Sequence, residues 1–261
     1  MSVRSVVRVG AAGLVLLAST AGAETPKEFK IEHFEWTGEP GLSKDVSRIL
    51  VRNDYGDVRA RFAGDGIVFV SAVIQRLGSA PDIGVNVERH GDALAVTVVS
   101  PPGRSAVAEE RPAKTAVDRA DLVIYVPEGA ALEAASLRGI VEARGLKGRV
   151  DAETQDGDIR LDAAGPIRAR SGEGNVTVVL GAASARTTLL ETTSGALWLS
   201  LAAGSDYRLQ VESGGVVTSQ VALKEEEAAP HRRLGAVGGA GRVPVIVRSE
   251  TGAVEIVERR P

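Results

Sequence analysis

Thr154-Gln155-Asp156-Gly157-Asp158-Ile159-Arg160-Leu161 and Ser171-Gly172-Glu173-Gly174-Asn175-Val176-Thr177-Val178 are two copies of one motif. A Ser, Thr or Asn stands three residues before a glycine, and two β-type residues spaced two apart follow it. Further copies occupy residues 53–58, 136–141, 192–199 and 249–256. A weaker copy, Glu212-Ser213-Gly214-Gly215-Val216-Val217, has glutamate at the hydroxyl position. From Gly139 the glycines recur at 157, 174, 195 and 215, in steps of 18, 17, 21 and 20 residues.

Each glycine is also preceded by alternation. Val150, Ala152 and Thr154 share one face, and Asp151 and Glu153 the other; Ile167, Ala169 and Ser171 repeat this against Arg168 and Arg170. A period of two over about five residues marks a half-buried strand. The glycine is expected where a turn needs positive φ, and the hydroxyl can bond the turn backbone. Two short strands per step, stacked at ~4.8 Å, predict an all-β parallel β-solenoid of Gly-x-Val-x-Val repeats. Val141, Ile159, Val176, Leu197, Val217 and Val254 would then form one inward aliphatic stack. Stacking in chain order sets Asp151 beside Arg168, Arg168 beside Glu191, Glu153 beside Arg170 and Glu142 beside Arg160. Signs alternate along these columns, as like charges directly opposite would be destabilising.

The ends of the chain read differently. Residues 1–23 carry Arg4 and Arg8, an apolar run over 9–18, then Ala21-Gly22-Ala23, the layout of a secretory signal peptide. The run is half the length a membrane-spanning helix needs, and with no cysteine in the chain, lipoprotein-type lipid attachment is excluded. Residues 24–261 are expected to form one solenoid domain, less regular over 24–130 and regular over 131–257. Longer strands are predicted at 67–73, 83–87, 94–99 and 122–126. Segments 101–120 and 224–242, rich in Pro and Gly respectively, read as loops. Six of the nine aromatic rings lie between Phe29 and Phe69, which suggests a thicker portion or cap over the first turn of the solenoid.

Composition narrows the function classes. The 261 residues hold 31 basic and 34 acidic side chains, 44% hydrophobic residues, 30 glycines and no cysteine. That fits a globular chain and excludes collagen-like, disordered and disulfide-scaffold classes. Loss of Arg4 and Arg8 with the leader takes the net charge from −3 to −5, which makes no electrostatic case for nucleic-acid or membrane binding.

The units around Val51-Arg52-Asn53-Asp54-Tyr55-Gly56-Asp57-Val58, the segment Asp121-Leu122-Val123-Ile124-Tyr125-Val126-Pro127-Glu128-Gly129 and the last repeat Arg248-Ser249-Glu250-Thr251-Gly252-Ala253-Val254-Glu255-Ile256 carry a family likeness. In them the chain resembles, over roughly residues 45–257, the bacterial putative-adhesin family of exported β-strand-repeat proteins, a domain of unknown function related to head GIN domains. The resemblance implies a β-solenoid and implies no catalytic residues.

Catalytic and metal motifs are missing. His33, His90 and His231 stand far apart, and without cysteine neither a thiol nucleophile nor the usual structural zinc site can form. No Gly-x-Ser-x-Gly elbow, Walker loop or His-Glu-x-x-His occurs. Asp156-Gly157-Asp158, with Asp57, could contribute to a Ca²⁺ site, but ordinary turn composition accounts for it without a cofactor. Asn175-Val176-Thr177 matches a glycosylation sequon and reads as a repeat strand. Trp198 points outward, because Leu197, Leu199 and Leu201 take the inward positions, with Thr177 and Thr218 as its expected stacked neighbours. Such a ring can stack on a sugar or a partner unless the 224–242 segment covers it.

The sequence therefore predicts a non-enzymatic exported binding or structural module of the cell envelope, its partner an envelope protein or glycan. A carbohydrate-active β-helix enzyme is the rival, and an envelope-stress signalling accessory protein a third reading. Export makes a direct prediction: N-terminal sequencing of the protein recovered outside the cytoplasm should begin at Glu24, and a chain retaining Met1 would end the export argument.

Overall fold

The computed structural model describes residues 10–11, 29–38, 45–64, 66–77, 83–99, 118–181, 187–237 and 241–259. All regular structure among them is strand. In chain order these are β1 (Gly10–Ala11), β2 (Phe29–Thr37), β3 (Arg48–Tyr55), β4 (Val58–Phe62), β5 (Phe69–Leu77), β6 (Gly84–His90), β7 (Ala93–Val99) and β8 (Arg119–Val126). The repeats supply β9 (Ala131–Arg138), β10 (Val141–Leu146), β11 (Val150–Asp156), β12 (Ile159–Ala163), β13 (Ile167–Glu173), β14 (Val176–Leu180), β15 (Thr188–Ser194) and β16 (Leu197–Ala202). The chain closes with β17 (Tyr207–Ser213), β18 (Val217–Ser219), β19 (Leu223–Ala229), β20 (Arg232–Val237), β21 (Val243–Ser249) and β22 (Val254–Arg259).

Two eleven-stranded sheets result: sheet A in the order β1-β2-β5-β8-β4-β10-β12-β14-β16-β22-β18, and sheet B in the order β6-β7-β3-β9-β11-β13-β15-β21-β17-β20-β19. The middle strands of each sheet pair in parallel; antiparallel strands flank both ends of sheet B and the β1-β2-β5 end of sheet A, while the other edge of sheet A, β18, stays parallel to β22. The parallel centre is the expected solenoid-like stack, each rung being a sheet B strand, a glycine turn and a sheet A strand. The antiparallel flanks were not expected. At the start of the chain β2 and β5 widen sheet A, with Phe34 and Trp36 packed against the core, and β6 and β7 form a hairpin in sheet B. The segment 224–242, expected to be a loop, instead supplies the hairpin β19–β20 at the far edge of sheet B. Of the expected leader, Gly10 and Ala11 pair with β2, and the rest lies outside the described residues, as does nearly all of the expected 101–120 loop.

Strand parity follows the sequence pattern. Val58, Val141, Ile159, Val176, Leu197, Val254 and Val217 lie side by side in that order, and all are buried. The order departs from the chain. The last rung, β21/β22, is inserted between β15/β16 and β17/β18, and β3/β4 is likewise inserted between the sheet-forming β7 and β8 and the rung β9/β10.

The turns lock the stack. The inward hydroxyl before each glycine reaches the turn of the neighbouring rung: Ser136 Oγ donates to Gly56 O (3.2 Å), Thr154 Oγ1 to Gly139 O (3.2 Å), Ser171 Oγ to Gly157 O (2.9 Å) and Thr192 Oγ1 to Gly174 O (3.1 Å), while Ser249 and Ser213 also accept the N–H of their own turns' Gly252 and Gly215, both at 3.0 Å. Ser249 continues the series onto Gly195, Ser213 onto Gly252, and Asn53 begins it with its amide on Ala120 O. Ser213, not Glu212, is thus the hydroxyl of the weak repeat, whose turn is one residue shorter. The expected positive φ holds at Gly56 (123°), Gly139 (157°), Gly174 (145°) and Gly195 (143°) but not at Gly157, Gly215 or Gly252; what recurs at all of them is close approach. A Cβ on Gly157 would sit 2.1 Å from Gly139 O. The opposite turn has its own pair, Gly148 and Gly165, where a Cβ would meet a carbonyl oxygen at 2.0 and 2.1 Å.

Gly157→Ala should therefore lower stability by at least the ~1–3 kcal/mol of ordinary overpacking, because the obstacle is backbone and cannot rotate away. Gly64, with nothing within 4 Å of its Cβ position, is the control, and Gly64→Ala should shift the melting temperature little. Equal losses in thermal unfolding would contradict the turn geometry.

Candidate recognition surfaces

Trp198 lies on the outer face of sheet A, at 38% exposure, because the alternation of β16 sends Leu197, Leu199 and Leu201 inward. Thr177 is its neighbour on β14, as expected. Thr218 is not: insertion of β22 puts Glu255 directly beside Trp198, and Thr218 lies one strand further on. Glu255 Oε1 accepts from Gln220 Nε2 at 3.0 Å, which ties down the carboxylate on the strand beside Trp198. The segment expected to cover the ring is bound into sheet B as β19 and β20 and pairs there with β17.

Other acidic groups singled out in the sequence serve the turns. Asp158 Oδ1 accepts the Asn175 N–H (3.0 Å), and Asp57 Oδ1 the Ile140 N–H (3.1 Å). Arg138 pairs with Asp156 and Arg160 with Asp158, both at 2.9 Å. Among the described residues no three His, Asp or Glu side chains are grouped to hold a metal ion. His33 and His90 are exposed, and His231 sits at the β19–β20 turn with Nδ1 2.6 Å from Gly215 O. In that position the imidazole takes the place that a Ser or Thr hydroxyl of a further rung would fill.

The outer face of sheet B carries a feature that chain-order stacking misplaces. One column runs Arg52, Ala135, Glu153, Arg170, Glu191, Arg248, Glu212, Arg232 across eight strands. Glu191 faces Arg170, whereas Arg168 faces Leu189 and not Glu191. Arg170 holds Glu191 at 2.8 Å, Arg248 approaches Glu191 at 3.5 Å and Glu212 at 4.0 Å, and Arg232 reaches Glu212 at 3.7 Å. The hydrogen bond from Arg170 holds the Glu191 carboxyl below its ordinary pKa against the opposing effect of partial burial, and Glu191 raises that of Arg170. The expected pairings of Asp151 with Arg168 and Glu142 with Arg160 hold in register. Their charges engage other partners: Asp151 pairs with Arg149, and Glu142 with Arg61 and Arg144.

Stacked in chain order, β15 would lie against β17 and set Glu191 opposite Glu212. Insertion of β21 places Arg248 between them. The signal was present in the sequence as two glutamates at equivalent outward positions of successive rungs.

Two depressions of about 430 and 510 Å³ open on this face of sheet B and share Arg52, Ala135, Glu153 and Arg170 in their walls.

No protein-family model and no curated protein matches the chain. Among solved structures, a putative cell adhesion protein from Clostridium sporogenes is similar, at 11% identity and a TM-score of 0.45, over 88% of this chain and all of that one. A putative adhesin from Bacteroides fragilis matches 87% of this chain and 97% of its own at 10% identity and a TM-score of 0.33. A further putative adhesin, from Parabacteroides distasonis, gives 10% identity and a TM-score of 0.28 over 88% and 97%.

The charge column predicts a pH signature for Arg248→Glu. Three consecutive acids should cost about 1–2 kcal/mol near neutrality, from like charges directly opposite. In the wild type the depressed carboxyl of Glu191 contributes stability above the ordinary range near pH 4–4.5, lost as pH falls through its folded value. Protonation relieves the variant instead. The gap between the two melting temperatures should narrow as pH drops below about 4.5, and a pH-independent gap would remove Arg248 from the electrostatic account.

Proposed function

We propose that this protein is an exported, non-enzymatic binding module of the bacterial cell envelope, adhesin-like, that recognises glycan through the outer face of sheet A. The observation that carries the reading is the open indole of Trp198 on a parallel sheet, with Thr177 on one side and Glu255 on the other. An indole offers a flat apolar face to the C–H side of a sugar ring, while flanking hydroxyl and carboxylate oxygens accept from its hydroxyls. The signal-peptide layout of residues 1–23 supports export, and the family resemblance of the repeats supports an envelope role. Thr218, two strands from Trp198, belongs to the rim of this surface and not to its centre.

The carboxylate partners on this face favour binding over catalysis. Asp158 is engaged by Arg160 and by the Asn175 amide, and Glu255 by Gln220, so neither is poised as an unpaired acid or base.

Trp36→Phe isolates the signal of Trp198. In that background the emission should be red-shifted and quenched by iodide, and should change on addition of soluble envelope polysaccharide. Trp198→Ala should reduce polysaccharide binding by roughly tenfold or more, about 1.4 kcal/mol, with far-UV circular dichroism showing the sheets retained. Binding that survives Trp198→Ala would overturn the assignment of this face.

A further inference from the structure

The charge column on sheet B has a gap. From Glu153 to Arg232 the signs alternate strand by strand, but at Ala135 a methyl group stands where a charged side chain would continue the series. On either side of it are Arg52 on β3 and Glu153 on β11. Arg170, the natural partner of Glu153, turns its guanidinium to Glu191. Among the described residues neither the Arg52 nor the Glu153 side chain makes an ion pair or hydrogen bond, Glu153 acting on Arg170 only through its charge, and both are exposed. The two depressions of this face meet at the small floor of Ala135, between these opposite charges.

We propose that this gap is a binding site for a short extended peptide with free termini, its carboxylate held by Arg52 and its ammonium by Glu153. The spacing fits the class. Arg52 and Glu153 are two strand spacings apart, about 10 Å at ~4.8 Å each. Three extended residues span a similar ~10 Å. A guanidinium takes a carboxylate in a two-pronged grip, and an unpaired carboxylate takes an ammonium, so the ends of the ligand are told apart by charge. Arg168, also without an ion pair, stands on β13 in the adjoining column and meets an acidic side chain on the ligand. The site lies on the sheet opposite Trp198 and does not depend on the glycan reading.

The test uses the whole mature chain and the tripeptide Ala-Glu-Ala, followed by calorimetry at low salt. The free tripeptide should bind saturably. N-acetylation of the peptide and Glu153→Gln should each weaken it about tenfold, and together should lose little more than either alone, because both remove the same contact. C-amidation and Arg52→Ala should behave as a second such pair. Both side chains are exposed, so far-UV circular dichroism should show both variants folded. No saturable binding, or binding indifferent to blocking either end, would overturn the proposal. A loss confined to the Arg52 arm would identify a simple anion site and overturn it as well.

Discussion

Each rung is positioned by a contact between backbone and backbone: the carbonyl of one glycine turn occupies the space where the next turn would have its Cβ. Gly139 over Gly56, Gly157 over Gly139 and Gly174 over Gly157 repeat this at 2.0–2.1 Å from the ideal Cβ position. The same carbonyls accept the inward hydroxyls of Ser136, Thr154 and Ser171. A buried hydroxyl without a partner is costly, so a slip by one residue loses that bond and drives charged side chains into the core. With the turns in register, the parity of every strand is set. The aliphatic stack through Ile159 and the outward columns through Arg160 and Arg170 are then consequences of the same contact.

A stack held by identical turns has no intrinsic end, and open sheet edges invite unwanted pairing. Here antiparallel strands finish one end of both sheets, β2 and β5 in sheet A and β6 in sheet B, and β19–β20 finish the other end of sheet B. At the C-terminal end the hairpin turn supplies His231 to Gly215 O and backbone bonds to Ser213 and Val217, so the last turn is satisfied without another rung. Insertion of β21/β22 one position inside the end also means that the final repeat cannot fray alone, since it has a parallel neighbour on both sides in both sheets.

With the interior committed to packing, only the two outer faces are open to a ligand, and these differ in kind. Sheet A presents an aromatic ring among hydroxyl and carboxylate groups; sheet B presents guanidinium and carboxylate groups arranged strand by strand. On sheet B the paired charges chiefly specify which strand lies next to which, since exposed ion pairs add little stability individually. Where that pairing is interrupted at Ala135, Arg52 and Glu153 stand exposed on either side without an ion pair.

Parity, the aliphatic core and the glycine turns were legible in the sequence, because period-two alternation and close backbone approach are local properties of each repeat. The outward direction of Trp198 came from the same local rule. Which rung neighbours which was decided only by the tertiary structure. Every repeat offers nearly the same edge, so chain order alone cannot choose among stacking partners, and the choice falls to side chains distant in sequence. Arg248 separating Glu191 from Glu212 is one such choice, and it carries Glu255 to the side of Trp198 where the sequence pointed to Thr218. The hairpin β19–β20 was hidden for a related reason: its acidic and glycine-rich residues lack the alternation of a half-buried strand, and they form strands because β20 pairs with the edge of β17 and β19 in turn with β20.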